Sequence, residues 1–116
     1  MDLNLAGKSV VVTGGGSNIG RAISLAFARE KAHVTIAEID EGQGAKVATE
    51  AERAGAASAR VIRTDVTAPA SVQAMVKAVQ ERLGKVDVLV NNVGGTVDRL
   101  FVEKTREEWE REVQIN

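Results

Sequence analysis

Three consecutive valines, Val10-Val11-Val12, run directly into Thr13-Gly14-Gly15-Gly16-Ser17-Asn18-Ile19-Gly20-Arg21, and this junction limits the possible folds more than any other stretch of the chain. A β-branched apolar run without polar alternation suits a strand buried on both faces, as in a parallel sheet. After the glycines, Ile19, Ala22, Ile23, Ala26 and Phe27 recur at helical spacing. A glycine turn between strand and helix lets the backbone approach a ligand closely. It also presents the free N–H groups and positive dipole end of the helix, which together suit a pyrophosphate. The strict G-x-G-x-x-G spacing is not met. A P-loop is excluded as well: Gly15 and Gly20 have its separation, but Arg21 and Ala22 stand where Lys and Ser/Thr would bind phosphate and Mg²⁺. A glycine-rich turn with no ligand stands as the alternative at this point.

The alternation of strand and helix continues along the chain. Val34-Thr35-Ile36-Ala37 predicts a second strand, and residues 42–54 a second helix punctuated by Gly55. Residues 59–64 read as a third strand. Val72, Met75, Val76, Val79 and Leu83 mark one face of a third helix, with Pro69 in its first turn and Gly84 past its end. Residues 86–90 predict a fourth strand, followed by an Asn/Gly-rich turn. Thr105 with Glu108 forms a capping-box pattern opening a last helix, on which Trp109, Val113 and Asn116 share a face. Trp109 and Met75 are expected in the core and His33 at the surface, while Lys104, Arg106 and Glu107 read as a solvated charged face.

Four strands alternating with helices predict the α/β class: a Rossmann-type, doubly wound parallel sheet with right-handed crossovers. The chain ends inside an amphipathic helix, as a fragment would, so residues 1–116 are expected to form the N-terminal part of a single nucleotide-binding domain whose sheet is incomplete.

Composition narrows the function. With a formal net charge of −1, the chain carries no electrostatic footprint for nucleic acid or an anionic membrane. It has no cysteine, so it offers no disulfide, thiolate nucleophile or thiolate metal site, and no metal ligation is expected. It also has no tyrosine and a single histidine, His33, which removes most Tyr- or His-based acid/base chemistry from these residues. Nothing resembles a signal peptide or a membrane span, and a cytoplasmic location is expected.

Four motifs, in order and on the expected elements, resemble the short-chain dehydrogenase/reductase family over essentially all 116 residues. Thr13, Gly14 and Gly20 match its Thr-Gly-x-x-x-Gly-x-Gly cofactor signature. Asn18 replaces the middle glycine, and Asn tolerates left-handed backbone geometry well. Ser17 and Ile19 lie in the same turn and are expected to face the cofactor. Asp65-Val66 resembles the pair that reads adenine, its carboxylate accepting from the amino group. For Asp65, capping of the Pro69 helix is the competing role. Asn91-Asn92-Val93-Gly94 resembles the family's Asn-Asn-Ala-Gly motif, which braces the sheet and borders the nicotinamide ribose; on this likeness Asn91, Val93 and Gly94 are expected at the cofactor. Trp109 followed by Asn116 resembles the segment ending in the catalytic asparagine.

Glu38 ends the second strand eighteen residues after Gly20, where a carboxylate can accept hydrogen bonds from the adenosine ribose hydroxyls. Asp40 competes for the role, but with Gln43 three residues on it reads as a helix N-cap. Neither Ile39 nor Ser17 is basic, whereas NADP-using relatives tend to carry basic residues near these places. NAD is the expected cofactor.

The resemblance implies an enzyme that moves hydride between NAD and a secondary alcohol or ketone, assembled as a homodimer or homotetramer. In the family, Ser, Tyr and Lys lie downstream of the segment matching Asn116, which helps position a water and the lysine in a proton relay. Residues 1–116 alone are therefore expected to be inactive. A non-catalytic, truncated nucleotide-binding module is the rival reading.

Overall fold

The valine run forms β1 (Ser9–Thr13), every residue of which is buried. The computed structural model describes residues 1–116, and after β1 come α1 (Asn18–Arg29), β2 (His33–Glu38), α2 (Glu41–Ala54), β3 (Ser58–Arg63), α3 (Pro69–Leu83), β4 (Val88–Val90), a 3-10 turn at Phe101–Glu103 and α4 (Arg106–Ile115). All strand pairs are parallel, in the order β3-β2-β1-β4. The α/β Rossmann-type sheet expected from the alternation is present.

Side-chain alternation divides the strand residues between two faces. Val10, Val12, Val34 and Ile36 pack with Leu25 and Ala28 of α1 and with Val47, Ala48 and Ala51 of α2. Val11 and Ala37 point the other way and meet Met75 and Val79 of α3. A sheet buried on both faces needs apolar residues at consecutive positions, which explains why β1 reads as an unbroken valine run. Ile36 is completely buried at the centre, and truncation to Ala is expected to destabilise the domain by about 2–5 kcal/mol.

Helix ends follow their local chemistry. Asp40 caps α2, its side chain accepting the Gln43 N–H at 3.0 Å, as its spacing predicts. Pro69 opens α3, while Gly55 and Gly84 close α2 and α3 with left-handed backbones at φ +112° and +83°. Both hydrogen bonds of the Thr105–Glu108 capping box are formed.

Three expectations are corrected. The fourth strand begins at Val88 rather than Val86, because Asp87 brackets Ser9 instead: its carboxylate accepts the Ser9 N–H at 2.8 Å, and its own N–H reaches the Ser9 carbonyl at 2.9 Å. Trp109 is half-buried rather than core, since α4 buries no residue fully and Val113 is 78% exposed. Lys104 does not lie on a solvated face; its side chain is only 10% exposed.

Candidate functional site

Strand order reverses between β1 and β4: the chain moves outward from β1 to β2 and β3, then returns through α3 to the other side of β1. The connections that leave the carboxyl ends of neighbouring strands turn to opposite faces of the sheet at such a point and leave a crevice outside the strand ends. A cleft of about 610 Å³ opens there, bounded by the β1–α1 turn, the ends of β2 and β3, the segment after β4, and the last turn of α4.

The glycine turn forms its floor. Gly14 and Asn18 both have left-handed backbones, φ +62° and +49°, so Asn18 adopts the geometry its residue type tolerates. The turn is tight: a Cβ on Gly20 would lie 1.9 Å from the Gly14 carbonyl oxygen. Ser17 is the N-cap of α1, but its side chain bonds to no helix amide and no acidic residue occupies the first turn. The first amides of α1 thus have no intrahelical partner and face the cleft with the positive dipole end, a fit for a phosphate group.

Side chains from α1 and α2 hold the turn in shape. The Ser24 hydroxyl meets the Gly20 carbonyl at 2.9 Å and the Gly15 carbonyl at 3.2 Å. Gln43 donates its side-chain amide to the Gly16 carbonyl at 2.8 Å. Arg21, which occupies the P-loop lysine position, is paired with Glu50 of α2, its Nε 3.2 Å from that carboxylate, and stays out of the cleft lining.

Of the residues singled out by sequence, Gly14, Ser17, Asn18, Ile19, Gly20, Glu38, Asp65, Val66, Val93 and Gly94 line the cleft together. Glu38 is 8% exposed and Ile39 beside it 51%. One Asp65 oxygen accepts both the N–H and the hydroxyl of Thr67, at 2.9 and 2.7 Å. These bonds, the hydroxyl's first, hold its carboxyl below the usual range, so it stays ionised with the second oxygen unengaged. Asp65 is not the cap of α3; Ala68 takes that position without a side-chain bond.

Thr13, Asn91 and Asn116 lie outside the lining. Thr13 is a brace: its hydroxyl donates to the Val90 carbonyl at 3.2 Å and accepts the N–H groups of Asn92 and Val93 at 3.0 and 3.3 Å, joining β1 to β4. The Asn91 side chain is exposed and lines a separate groove against α3, because successive residues leaving a strand point to opposite faces. Asn92 lines the cleft. Its side-chain amide donates to the carbonyls of Thr13 and Gly14 at 3.1 and 3.2 Å, locking the segment after β4 onto the glycine turn. Which Asn of the pair faces the cleft depends on where the strand ends.

Asn116 grips Gly95. Its side-chain oxygen accepts the Gly95 N–H at 3.1 Å, and its Nδ2 donates to the Gly95 carbonyl at 2.6 Å and the Glu112 carbonyl at 2.9 Å. The preceding turn of α4 supplies Arg111, Gln114 and Ile115 to the cleft, none of which the motifs marked.

The reversal in strand order with a glycine turn at the crevice defines the chain as a Rossmann-type α/β protein. It belongs to the short chain dehydrogenase family, whose model matches residues 8–116. An uncharacterised oxidoreductase of Thermotoga maritima is 43% identical over 112 residues, covering 97% of this chain and 43% of that protein. The crystal structure of a short-chain type dehydrogenase/reductase from Mycobacterium marinum superposes with a TM-score of 0.91 at 32% identity, over 96% of this chain and 43% of the other. The L-sorbose reductase of Gluconobacter frateurii, solved with NADPH and L-sorbose, also gives 0.91 at 32% identity, over 99% and 44%. The chain thus spans less than half the length of these three relatives.

Proposed function

We propose that this chain binds NAD(H) in the switch-point cleft, and that the whole protein transfers hydride between NAD and a secondary alcohol or ketone. Family membership favours an enzyme over a non-catalytic nucleotide module. The bound dinucleotide would supply the hydride acceptor or donor. On this reading the amides at the start of α1 hold the pyrophosphate, Asp65 and Val66 read adenine, and Val93 and Gly94 border the nicotinamide ribose. Thr13 and Asn92 keep the two walls of the cleft in register. Asn116 is assigned the family's role in proton relay, with Ser, Tyr and Lys supplied by the remainder of the whole protein. Assembly as a dimer or tetramer and a cytoplasmic location belong to the same reading; no helix is long and apolar enough to cross a membrane.

One observation carries the choice of dinucleotide: a nearly buried carboxylate, Glu38, stands at the end of β2 with no cation among its immediate neighbours in sequence. Relatives differ here, since the sorbose reductase is described with NADPH. The 2′-phosphate of NADP would meet the Glu38 carboxylate, whereas two ribose hydroxyls would donate to it. Titration of the whole protein with NADH and NADPH, followed by fluorescence, tests the reading. Tighter NADH binding is expected, and equal affinity for the two would refute it.

A further inference from the structure

The geometry points to Glu112 as a positioning residue that, with Lys104, holds the Gly95–Val97 segment and so fixes the nicotinamide end of the cleft. This inference rests on the proposed dinucleotide binding.

Glu112 lies on the face of α4 turned toward the segment after β4. Its Oε1 accepts the Val97 N–H at 2.7 Å and the Thr96 hydroxyl at 3.0 Å, and both oxygens accept from Lys104 Nζ, at 2.8 and 2.9 Å. Lys104 also reaches the Thr96 hydroxyl at 3.3 Å. The pair is mostly shielded, with side chains 10% and 17% exposed. Trp109 shields it further: its ring lies 5.3 Å from Lys104 Nζ and packs edge-on against Phe101 at 4.6 Å. The Lys104 bond, followed by that from Val97, holds the Glu112 carboxyl down at about 2. Shielded, charge-assisted bonds of this kind are stronger than exposed ion pairs.

The arrangement joins two walls of the cleft. One turn beyond Glu112, Asn116 grips Gly95 through both its backbone groups. Gly94, immediately before, lines the cleft, as do Arg111, Gln114 and Ile115 on α4. Glu112 and Asn116 therefore hold consecutive residues of a segment that contains no regular structure from Asn91 to Leu100. Without Glu112, Val97 loses its side-chain partner and Thr96 keeps only Lys104, which the carboxylate no longer holds, so Gly95–Val97 depends mainly on the Asn116 grip. The adenosine end, built by Glu38 and Asp65, has no bond to this network.

The whole protein and its Glu112→Leu and Glu112→Gln variants are compared by amide hydrogen exchange and by binding of NADH and AMP. AMP probes the adenosine half alone and serves as the folding control. Glu112→Leu is expected to speed exchange at Gly95 and Val97 and to weaken NADH binding roughly tenfold, with AMP affinity unchanged. Glu112→Gln keeps an acceptor for Val97 and should recover most of the loss. Unchanged exchange at Val97, or faster exchange with unchanged NADH binding, would overturn the inference. So would a parallel loss of AMP, which marks general loosening of the fold. A wild-type protein that binds neither nucleotide overturns the proposed function itself, a failure recognisable without any variant.

Discussion

The Glu38 carboxylate accepts the backbone N–H of Gly16 at 3.1 Å, tying the end of β2 to the glycine turn across 22 residues of sequence. Its other oxygen accepts the N–H of Asp40 at 3.2 Å. An ionised carboxylate offers about four acceptor positions, so two remain for ribose hydroxyls. Glu38 is thus both a support of the turn and the candidate reader of the ribose. The two roles can be separated by substitution.

Glu38→Gln is expected to erase discrimination against NADP while keeping an acceptor for Gly16. Two unit charges about 4 Å apart at an effective dielectric near 20 repel by roughly 4 kcal/mol. Screening at a cleft open to solvent reduces this to about 1–3 kcal/mol, or roughly a tenfold to hundredfold preference for NAD. Adding Ile39→Arg to Glu38→Gln should move the preference towards NADP. The measurement is kcat/KM with both cofactors, and a wild-type protein indifferent to the 2′-phosphate would exclude Glu38 as the ribose reader.

Asn92→Asp should cost about 2–3 kcal/mol of stability and abolish cofactor binding, because it places a carboxylate oxygen against the Thr13 and Gly14 carbonyls that now accept from the amide. Asn91→Ala should change stability by no more than about 0.5 kcal/mol, as its side chain is exposed and makes no hydrogen bond. Urea midpoints of the two variants give the answer. Equal effects would show that the pair is not divided between the faces of the sheet.

In Gly20→Ala the added methyl meets a backbone oxygen, which cannot rotate aside as a side chain can. Roughly 3 kcal/mol of destabilisation is expected, along with loss of dinucleotide binding, since the turn must widen. A variant that melts and binds as wild type would mean the approach of Gly20 to Gly14 is not required.

Acid should loosen the segment after β4 in a defined window. The Glu112 carboxyl is lowered from 4.5 to about 2 by Lys104 and Val97. A folded-state pKa below the unfolded value contributes stability that is complete above the unfolded pKa and lost as pH falls through the folded one. Between about pH 4.5 and 2, the whole protein should therefore lose stability that Glu112→Gln lacks at every pH. Parallel urea midpoints for the two proteins across that range would refute this. Asp65 and Asp87 are also lowered, by Thr67 and by the Ser9 N–H respectively, and add losses of the same sign in both proteins.

Much of the fold was legible because it follows from short-range patterns. The valine run, the helical spacing of apolar residues, and the caps at Asp40, Thr105, Gly55 and Gly84 each state a local preference that the whole molecule respects. The glycine turn was legible for the same reason, since Asn18 declares its left-handed backbone by residue type. Lys104 reads as solvated because its neighbours in sequence are polar, while its shielding comes from Glu112 and Trp109 across a turn; Trp109 reads as core by residue type, yet α4 buries no residue fully.

By itself, the sequence determined the α/β class, the order of elements, the position of the glycine turn and ten of the residues lining one cleft. All of these depend on the periodicity and conformational preference of adjacent residues. Only the tertiary structure decided that Asn92 rather than Asn91 faces the cleft, that Glu38 supports Gly16, and that Glu112 holds Thr96 and Val97. Each of these joins residues 15 or more apart in the chain, and hydrogen-bond geometry at 3 Å is set by how strands and helices pack, which no local pattern encodes.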